Sequence, residues 1–328
     1  MTIGRRGPLL AFVAGLFILA APPHVQAGSG SYAAPSVSRQ VGPHCFSGAV
    51  SYPNPFLSTY VRSSTGLGST TEFEATIYDV GSQPRVVKEM DVTLQYLLLG
   101  LEYQERVSHA VAVRGAVSGA GRMGILDTAA LLTDGVKVDV DCSVGATVAL
   151  WERSRFKLSG SLDAAGKYFG DVLIRNYVED VVAHGIGDST NSIWEDATSL
   201  RATTGVRAAY GHSKTVGYLI YGDIGVQSRF FEEDAEAVWD TGVVLSLDLQ
   251  EHWEPDLGVA MSAMYRSPEL IDPYTKTSRW DADLGIFYTA RPELTLGVEI
   301  GYTPLRKSSL EEWFGMITMN ILLRYDFS

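Results

Sequence analysis

Apolar and polar residues alternate at every second position over segments of about ten residues, and this pattern returns many times along the chain. Successive side chains of a β-strand point to opposite faces, so the period predicts strands with one apolar face. In the last segment the apolar face carries Trp313, Gly315, Ile317, Met319, Ile321, Leu323, Tyr325 and Phe327, against Thr318, Asn320, Arg324 and Asp326. The same period occurs in residues 138–150, 200–210, 216–226, 239–249, 257–265, 280–288 and 294–302. The chain is therefore expected to be all-β.

The chemistry of the two faces favours a membrane barrel over a soluble sandwich. In a sandwich the polar face meets water and the apolar face packs on a second sheet. A barrel in lipid reverses this arrangement, with apolar residues outside and polar residues in the lumen. Several apolar rows end in Tyr, Trp or Phe, the residues of an interfacial girdle. After residue 27 no apolar run approaches the ~18 residues of a membrane helix, so strands are expected to cross the membrane.

The lengths of the connections alternate as they do in outer-membrane barrels. Short turns are expected near residues 104–108, 151–155, 211–214, 252–255 and 290–293, and longer links at 120–135, 167–197, 231–236, 267–277 and 304–312. With a first strand near 71–79 and a second near 89–103, the count is about twelve. We therefore expect an antiparallel transmembrane β-barrel of about 12 strands with short periplasmic turns and longer extracellular loops.

The N-terminal residues predict two further pieces. Residues 1–27 combine Arg5 and Arg6, an apolar run from Leu9 to Ala21 and a small-residue ending, which is typical of a cleaved signal peptide. Residues 28–70 are rich in Gly, Ser and Pro and have no period, so they are interpreted either as a periplasmic tail or as a plug in the lumen. Residues 71–328 form the predicted barrel. The link 167–197 is apolar enough to suggest a short amphipathic helix at the barrel mouth.

The end of the chain resembles the C-terminal β-signal of Gram-negative outer-membrane proteins, through Ile321, Leu323, Tyr325 and Phe327. In that family the aromatic residue is usually the last, whereas Ser328 follows it here. The resemblance implies insertion by the barrel-assembly machinery and a location in the outer membrane, in contact with its lipid and lipopolysaccharide. It implies no particular activity.

The predicted lumen carries charges of both signs. Its basic positions are Arg114, Lys137, Arg201, Arg207, Arg229, Arg266, Arg279 and Arg324, and its acidic positions are Asp139, Asp141, Asp223, Asp240, Asp248, Asp281, Asp283, Glu299 and Asp326. Eight basic against nine acidic positions are nearly balanced, which argues against a strongly charge-selective pore. The lumen is thus either a modestly selective pore for small polar solutes or closed by internal salt bridges.

Net charge narrows the range of partners. Without residues 1–27, Lys and Arg fall from 26 to 24 while Asp and Glu stay at 38, so the net charge becomes −14. An acidic protein of this kind is not expected to bind nucleic acid. Passive passage of small solutes is therefore the leading hypothesis, and a non-conducting structural or adhesion barrel is its alternative.

Catalytic and metal signatures are weak, so a lipid-modifying enzyme ranks third. His212 and Ser213 are adjacent, whereas outer-membrane phospholipases separate the two by one residue. The paired carboxylates Asp139 and Asp141 resemble part of the omptin protease site, but no His-Asp pair accompanies them. We expect no catalytic residue, cofactor or metal. Cys45 and Cys142, the only cysteines, are expected to stay free because their predicted positions lie on opposite sides of the barrel wall.

Overall fold

The computed structural model describes residues 39–47, 52–71, 73–79, 85–123, 136–172, 194–229, 235–250, 256–270, 276–291, 293–306 and 313–327. The predicted signal peptide (1–27), residues 28–38 and most of the apolar link (173–193) lie outside this part of the chain, so the expected cleavage and the expected helix stay predictions. Among the described residues, no helix has the length and apolarity needed to cross a membrane.

Sixteen strands form in the described residues: β1 (Gln40–Val41), β2 (His44–Cys45), β3 (Thr59–Thr70), β4 (Phe73–Asp79), β5 (Arg85–Val92), β6 (Gln95–Arg106), β7 (Val111–Met123), β8 (Val136–Arg153), β9 (Phe156–Val172), β10 (Trp194–Gly211), β11 (Val216–Arg229), β12 (Glu236–Asp248), β13 (Leu257–Leu270), β14 (Lys276–Tyr288), β15 (Leu294–Arg306) and β16 (Trp313–Phe327). Twelve of them, β3 and β6 to β16, form a closed antiparallel barrel in chain order. This confirms the predicted fold class and strand count.

The barrel closes where β16 pairs with β3, from Met316 opposite Thr70 to Phe327 opposite Thr59. Closure leaves no free sheet edge, which lipid would not tolerate. The first barrel strand therefore begins at Thr59, not near 71 as the sequence suggested. Residues 73–79 pair instead with 85–92 in a separate two-stranded sheet. The expected boundary between residues 28–70 and 71–328 thus shifts to Thr59.

The composition of β3 and β6 explains this difference. The outward positions of β3 include Ser63, Thr65 and Ser69, so its apolar alternation is weak. In β6, Leu97 and Leu99 are exposed on the outside whereas Leu98, between them, points inward. A run of leucines on both faces hides the two-residue period on which the sequence reading depends.

The outer surface of the barrel is an apolar belt between two aromatic rims. Short connections join the strands at one end, called here the turn end, where β3 begins and β16 ends; the opposite end is called the loop end. Exposed aromatic side chains near the turn end include Tyr210, Tyr218, Tyr288, Tyr325 and Phe327, and those near the loop end include Trp239, Trp280 and Tyr302. On β14 the two rims are eight residues apart (288 − 280). At ~3.3 Å per residue this is about 26 Å along the strand, comparable with the ~25 Å apolar band of outer-membrane barrels.

Candidate functional site

Residues 39–47 and 52–58, called here the lumenal segment, lie inside the turn end of the barrel. Val41, Phe46, Tyr52 and Phe56 are buried in one apolar cluster with inward residues of the wall, which are Ala209, Leu219, Tyr221, Val244, Ala260, Met264, Phe287 and Leu322. The segment begins with the small β1–β2 hairpin, whose Gly42 has a φ of 59°. This left-handed conformation suits glycine in a tight turn.

Polar contacts at the hairpin attach the segment to three parts of the wall. The fully buried His44 ring donates through Nδ1 to the Lys214 carbonyl (2.8 Å), and its Nε2 lies 3.1 Å from the Ser246 hydroxyl. The Ser47 hydroxyl lies 3.3 Å from that of Ser246. Arg39 is 3.3 Å from the carboxylate of Asp326. These bonds therefore attach the hairpin to β12, to β16 and to the turn between β10 and β11.

Burial sets the protonation of the hairpin side chains. Loss of water contact lowers the pKa of His44, while the Lys214 carbonyl and the charge of Asp248 partly oppose this shift. Burial likewise raises the pKa of the Cys45 thiol. The imidazole is therefore held in its neutral form, with the proton on Nδ1.

Glycines in the wall make room for the lumenal segment. A Cβ atom at Gly211 would lie 2.0 Å from the Val41 carbonyl oxygen, and one at Gly217 would lie 2.2 Å from Cδ2 of His44. Both distances are far below a normal contact, so no larger residue fits at these positions without moving the segment. The inner face of β10 and β11 is thus shaped to the chain that lies against it.

The second half of the segment continues along the lumen to the start of β3. The Gln104 side chain donates to the carbonyls of Phe56 (2.7 Å) and Ser58 (2.9 Å). Arg207, which is 1% exposed, donates to the Asn54 carbonyl at 3.3 Å. Tyr52 packs edge-on against Tyr221 with ring centroids 5.0 Å apart. Wall side chains therefore satisfy backbone groups that would otherwise be buried without partners.

Ion pairs join inward side chains along the inner face of the wall. Asp163 pairs with both Arg114 and Arg207, the latter at 2.7 Å. Arg201 pairs with Asp240 at 2.6 Å. Further pairs join Arg62 to Glu102, Arg266 and Arg279 to Asp281, and Arg324 to Asp326. Many wall charges thus meet a partner of opposite sign on the inner face.

The described lumen-lining residues predicted from the sequence lie on the inner face of their strands. Those with inward positions are Arg114, Asp139, Asp141, Arg201, Arg207, Asp223, Asp240, Asp248, Arg266, Arg279, Asp281, Asp283, Glu299 and Arg324. Asp283 accepts a hydrogen bond from Ser262 (2.9 Å), and Asp223 accepts one from Ser161 (3.3 Å). The side chain of Arg229 lies outside the described part.

Three members of the ion-pair network, Arg62, Glu102 and Asp163, do not belong to the predicted set. Arg62 and Glu102 lie on β3 and β6, where the alternation is weak. On β9 the outward positions next to Asp163 are Leu162 and Ala164, and the outward positions beyond them are glycines. The outward face of this strand therefore has few large apolar side chains. The sequence predicts an inward Asp163 only if Gly and Ala are accepted as outward residues in the two-residue alternation.

The C-terminal residues, the adjacent His212 and Ser213, and the question of a metal site remain to be placed in the fold. Ile321, Leu323, Tyr325 and Phe327 all face outward on β16, with the last two rings 5.2 Å apart. Ser213 accepts a hydrogen bond from the Val216 amide, so this hydroxyl holds the β10–β11 turn. In the described part, no group of three His, Cys, Asp or Glu side chains is placed to hold a metal ion.

The two cysteines lie on opposite sides of the wall. Both are free in the structure. Cys45 belongs to the lumenal segment, whereas Cys142 lies on the outward face of β8, opposite Val117 and Gly166 of the neighbouring strands.

No family model and no curated protein matches the chain. Solved structures with a similar fold include the translocator domain of the autotransporter NalP from Neisseria meningitidis, at 10% identity and a TM-score of 0.45, covering 85% of this chain and 90% of that one. A FadL homologue of Pseudomonas aeruginosa matches at 10% identity and a TM-score of 0.43, covering 84% and 93%. The Pseudomonas putida toluene transporter TodX matches at 8% identity and a TM-score of 0.37, covering 84% and 90%.

Proposed function

We propose that this protein is an outer-membrane channel for small solutes, closed at its periplasmic end by the lumenal segment. The observation that carries the proposal is the fit of the lumenal segment into the wall glycines Gly211 and Gly217. A wall that keeps glycine at these contacts encloses a space that the barrel's own side chains do not fill. Displacement of the segment would leave that space open.

The outer surface supports the membrane location. Each of the twelve barrel strands exposes at least one large apolar side chain at an outward position. Aromatic rims lie at both ends of this apolar surface. Such a surface is stable in lipid and not in water. In outer-membrane barrels the short turns face the periplasm, so the lumenal segment would close the barrel from that side. The outward residues Ile321, Leu323, Tyr325 and Phe327 would then be the contact for the barrel-assembly machinery.

The contacts of the lumenal segment support a closure that can be reversed. In its described residues the segment contacts the wall through hydrogen bonds, an ion pair between Arg39 and Asp326 and packing of apolar rings. A twelve-stranded barrel lies between the filled eight-stranded barrels and the open porins, so a short peptide decides whether water passes. The balanced charges of the wall predict weak ion selectivity once it opens.

One observation favours the alternative of a non-conducting structural barrel. Phe169, Met264, Phe287 and Leu322 are almost fully buried on the inner face, and they fill part of the lumen together with the ion pairs. If these side chains alone block the lumen, removal of the lumenal segment will not open a path.

Deletion of the segment separates the two proposals. Because Thr59–Thr70 closes the barrel against β16, the deletion must stop before β3, and removal of residues 30–55 does so. In planar bilayers we expect small or no current from the intact mature protein and stable, weakly selective current from the deletion variant. Heat-dependent migration on gels verifies that both are folded. A folded deletion variant without current would favour the structural barrel.

A further inference from the structure

The hairpin of β8 and β9 ends in a short turn that carries two exposed arginines. Arg153 lies opposite Phe156 in the last pair of the ladder, and Arg155 belongs to the turn itself. Neither arginine forms an ion pair within the described part of the chain, whereas the neighbouring Glu152 pairs with Lys157 at 3.0 Å. The turn therefore presents an excess of positive charge at the turn end of the barrel.

A β-bulge in β8 places two large apolar side chains next to each other on the outer face beside this turn. The pairing with β9 shifts by one residue between Ala149 and Trp151, and Leu150 and Trp151 are 56% and 48% exposed. Bulges redirect side chains in this way. In a regular strand, Trp151 would point into the lumen, because Leu150 already points outward. The bulge therefore adds an aromatic ring to the outer surface.

Arg153 and two outer rings form one cluster. The guanidinium carbon of Arg153 lies 5.1 Å from the centroid of a Trp151 ring, and Trp151 packs against Phe156 with centroids 5.3 Å apart. A cation is attracted to the face of an aromatic ring, so this contact holds the flexible side chain against the outer surface. The positive charge of Arg153 is therefore directed toward the membrane side of the turn.

The cluster lies at the level of the aromatic rim of the turn end. Phe156 is paired with Tyr210, and Tyr210 is paired with Tyr218, so these three residues form one row along the wall. Aromatic rings of such rims lie at the depth of the lipid headgroups. Arg153 stands opposite Phe156 in the same row. Its guanidinium would therefore meet headgroup phosphates, while the apolar pair formed by the bulge would meet acyl chains.

Contacts on two sides fix the backbone of the turn. The Gly211 amide donates to the Arg155 carbonyl at 3.0 Å. From the lumen, Gly42 approaches so closely that a Cβ atom on it would lie 2.7 Å from the Ser154 carbonyl oxygen. An ordered backbone reduces the entropy that a ligand must remove when it binds. The two arginines thus extend from a support that is ordered before any ligand binds.

We propose that the β8–β9 turn binds an anionic phospholipid headgroup in the periplasmic leaflet of the outer membrane. Arg153 and Arg155 contact its phosphate, because a guanidinium donates several hydrogen bonds to phosphate oxygens, and Leu150 and Trp151 contact its acyl chains. A zwitterionic headgroup brings its own cation, so an anionic headgroup balances the two arginines better. The proposal rests on the outer-membrane location proposed above, but it does not depend on closure by the lumenal segment.

Quenching of tryptophan fluorescence by brominated lipids tests the proposal. The mature protein is reconstituted in vesicles of phosphatidylcholine and phosphatidylglycerol, with bromine on the acyl chains of one lipid or the other. The Trp151 signal is the difference between the native protein and Trp151→Phe. We expect phosphatidylglycerol to bind beside Trp151 more tightly than phosphatidylcholine. This preference should fall about fivefold in Arg153→Gln or Arg155→Gln and disappear when both are replaced.

Two controls test the specificity of the site. Arg291→Gln removes the same charge from the β14–β15 turn, where Arg291 is exposed and Glu293 follows it, so this variant should keep the native preference. Heat-dependent migration on gels verifies that each variant is folded. Inorganic phosphate, compared with chloride at equal ionic strength, should leave the preference unchanged. Loss of the preference in phosphate would indicate a site for small anions and would overturn the lipid proposal.

The remaining outcomes separate this proposal from the channel proposal. If both brominated lipids quench Trp151 equally, or if the double arginine variant keeps the preference, the headgroup site is wrong, whatever the deletion of residues 30–55 does to the current. If neither lipid quenches any tryptophan of the folded protein, the membrane location fails and the headgroup site fails with it. If the preference follows the two arginines while the deletion variant carries no current, the headgroup site stands and the channel fails.

Discussion

The ring of His44 occupies the space that a side chain at position 217 would need: a Cβ atom there would lie 2.2 Å from Cδ2 of His44 and 2.7 Å from Cε1 of Phe46. Gly217 lies on β11 and His44 on the lumenal segment. Gly217 thus leaves free the space that the His44 ring fills.

Gly217→Val is expected to displace the hairpin of the lumenal segment, because the new side chain and the His44 ring cannot share this space. Overpacking of this kind typically costs ~1–3 kcal/mol. Current through planar bilayers should increase while the barrel remains folded. The matched control is Gly222→Val on the outward face of the same strand, where a Cβ atom meets nothing within 4 Å. If the two variants conduct alike, the fit at Gly217 does not control closure.

The position of the lumenal segment was not predictable from the sequence, whereas the barrel was. Outward rows such as the one from Ile317 to Phe327 are apolar at every second position, so the pattern of the sequence records them directly. His44 and Ser246 are 202 residues apart, and residues 39–58 show no period, so nothing local links the two. The first barrel strand was missed for a related reason, since the outward Ser63, Thr65 and Ser69 do not mark a lipid face.

Acid is expected to weaken docking of the lumenal segment through His44. Burial lowers its pKa below the ordinary 6.5, so the docked segment binds fewer protons than the free one. The contribution to docking is therefore complete above pH ~6.5 and is lost as the pH falls toward the lowered pKa. Asp248, the carboxylate facing the ring from β12, reduces the shift without reversing it.

Single-channel recording across this pH range checks the prediction. Current should rise in acid for the native protein, and His44→Gln should make the response flatter. His212→Gln, at an exposed position of the β10–β11 turn, should keep the native response. An unchanged pH profile in His44→Gln would show that another group controls opening.

Asp163→Asn is expected to destabilise the barrel and shift its preference toward anions. Asp163 pairs with Arg114 and Arg207, so its loss leaves two inward guanidinium groups without this carboxylate. Removal of one partner of a buried pair costs about 3 kcal/mol or more. The measurements are urea unfolding in lipid and the reversal potential in a salt gradient. Glu152→Gln, which breaks the exposed pair with Lys157, should change stability by less than ~1 kcal/mol.

Val298→Arg tests which face of β15 meets lipid. Val298 is exposed on the outward face, whereas its neighbour Glu299 is 1% exposed on the inner face. An arginine facing the bilayer midplane costs ~2–4 kcal/mol, so folding into lipid vesicles should be impaired. Val298→Leu should fold normally. Equal folding of the two variants would mean that this face does not contact lipid.

A reversible covalent link between the lumenal segment and the wall tests whether this segment closes the barrel. The hydroxyls of Ser47 and Ser246 lie 3.3 Å apart, so cysteines at these two positions join the segment to β12 when oxidised. Cys45→Ser and Cys142→Ser remove competing thiols, and the single Ser246→Cys variant shows the effect of losing the bond to His44. At an acidic pH that opens the reduced protein, we expect no current from the oxidised double variant and full current after reduction in the same bilayer. Equal currents before and after reduction would contradict closure by the lumenal segment.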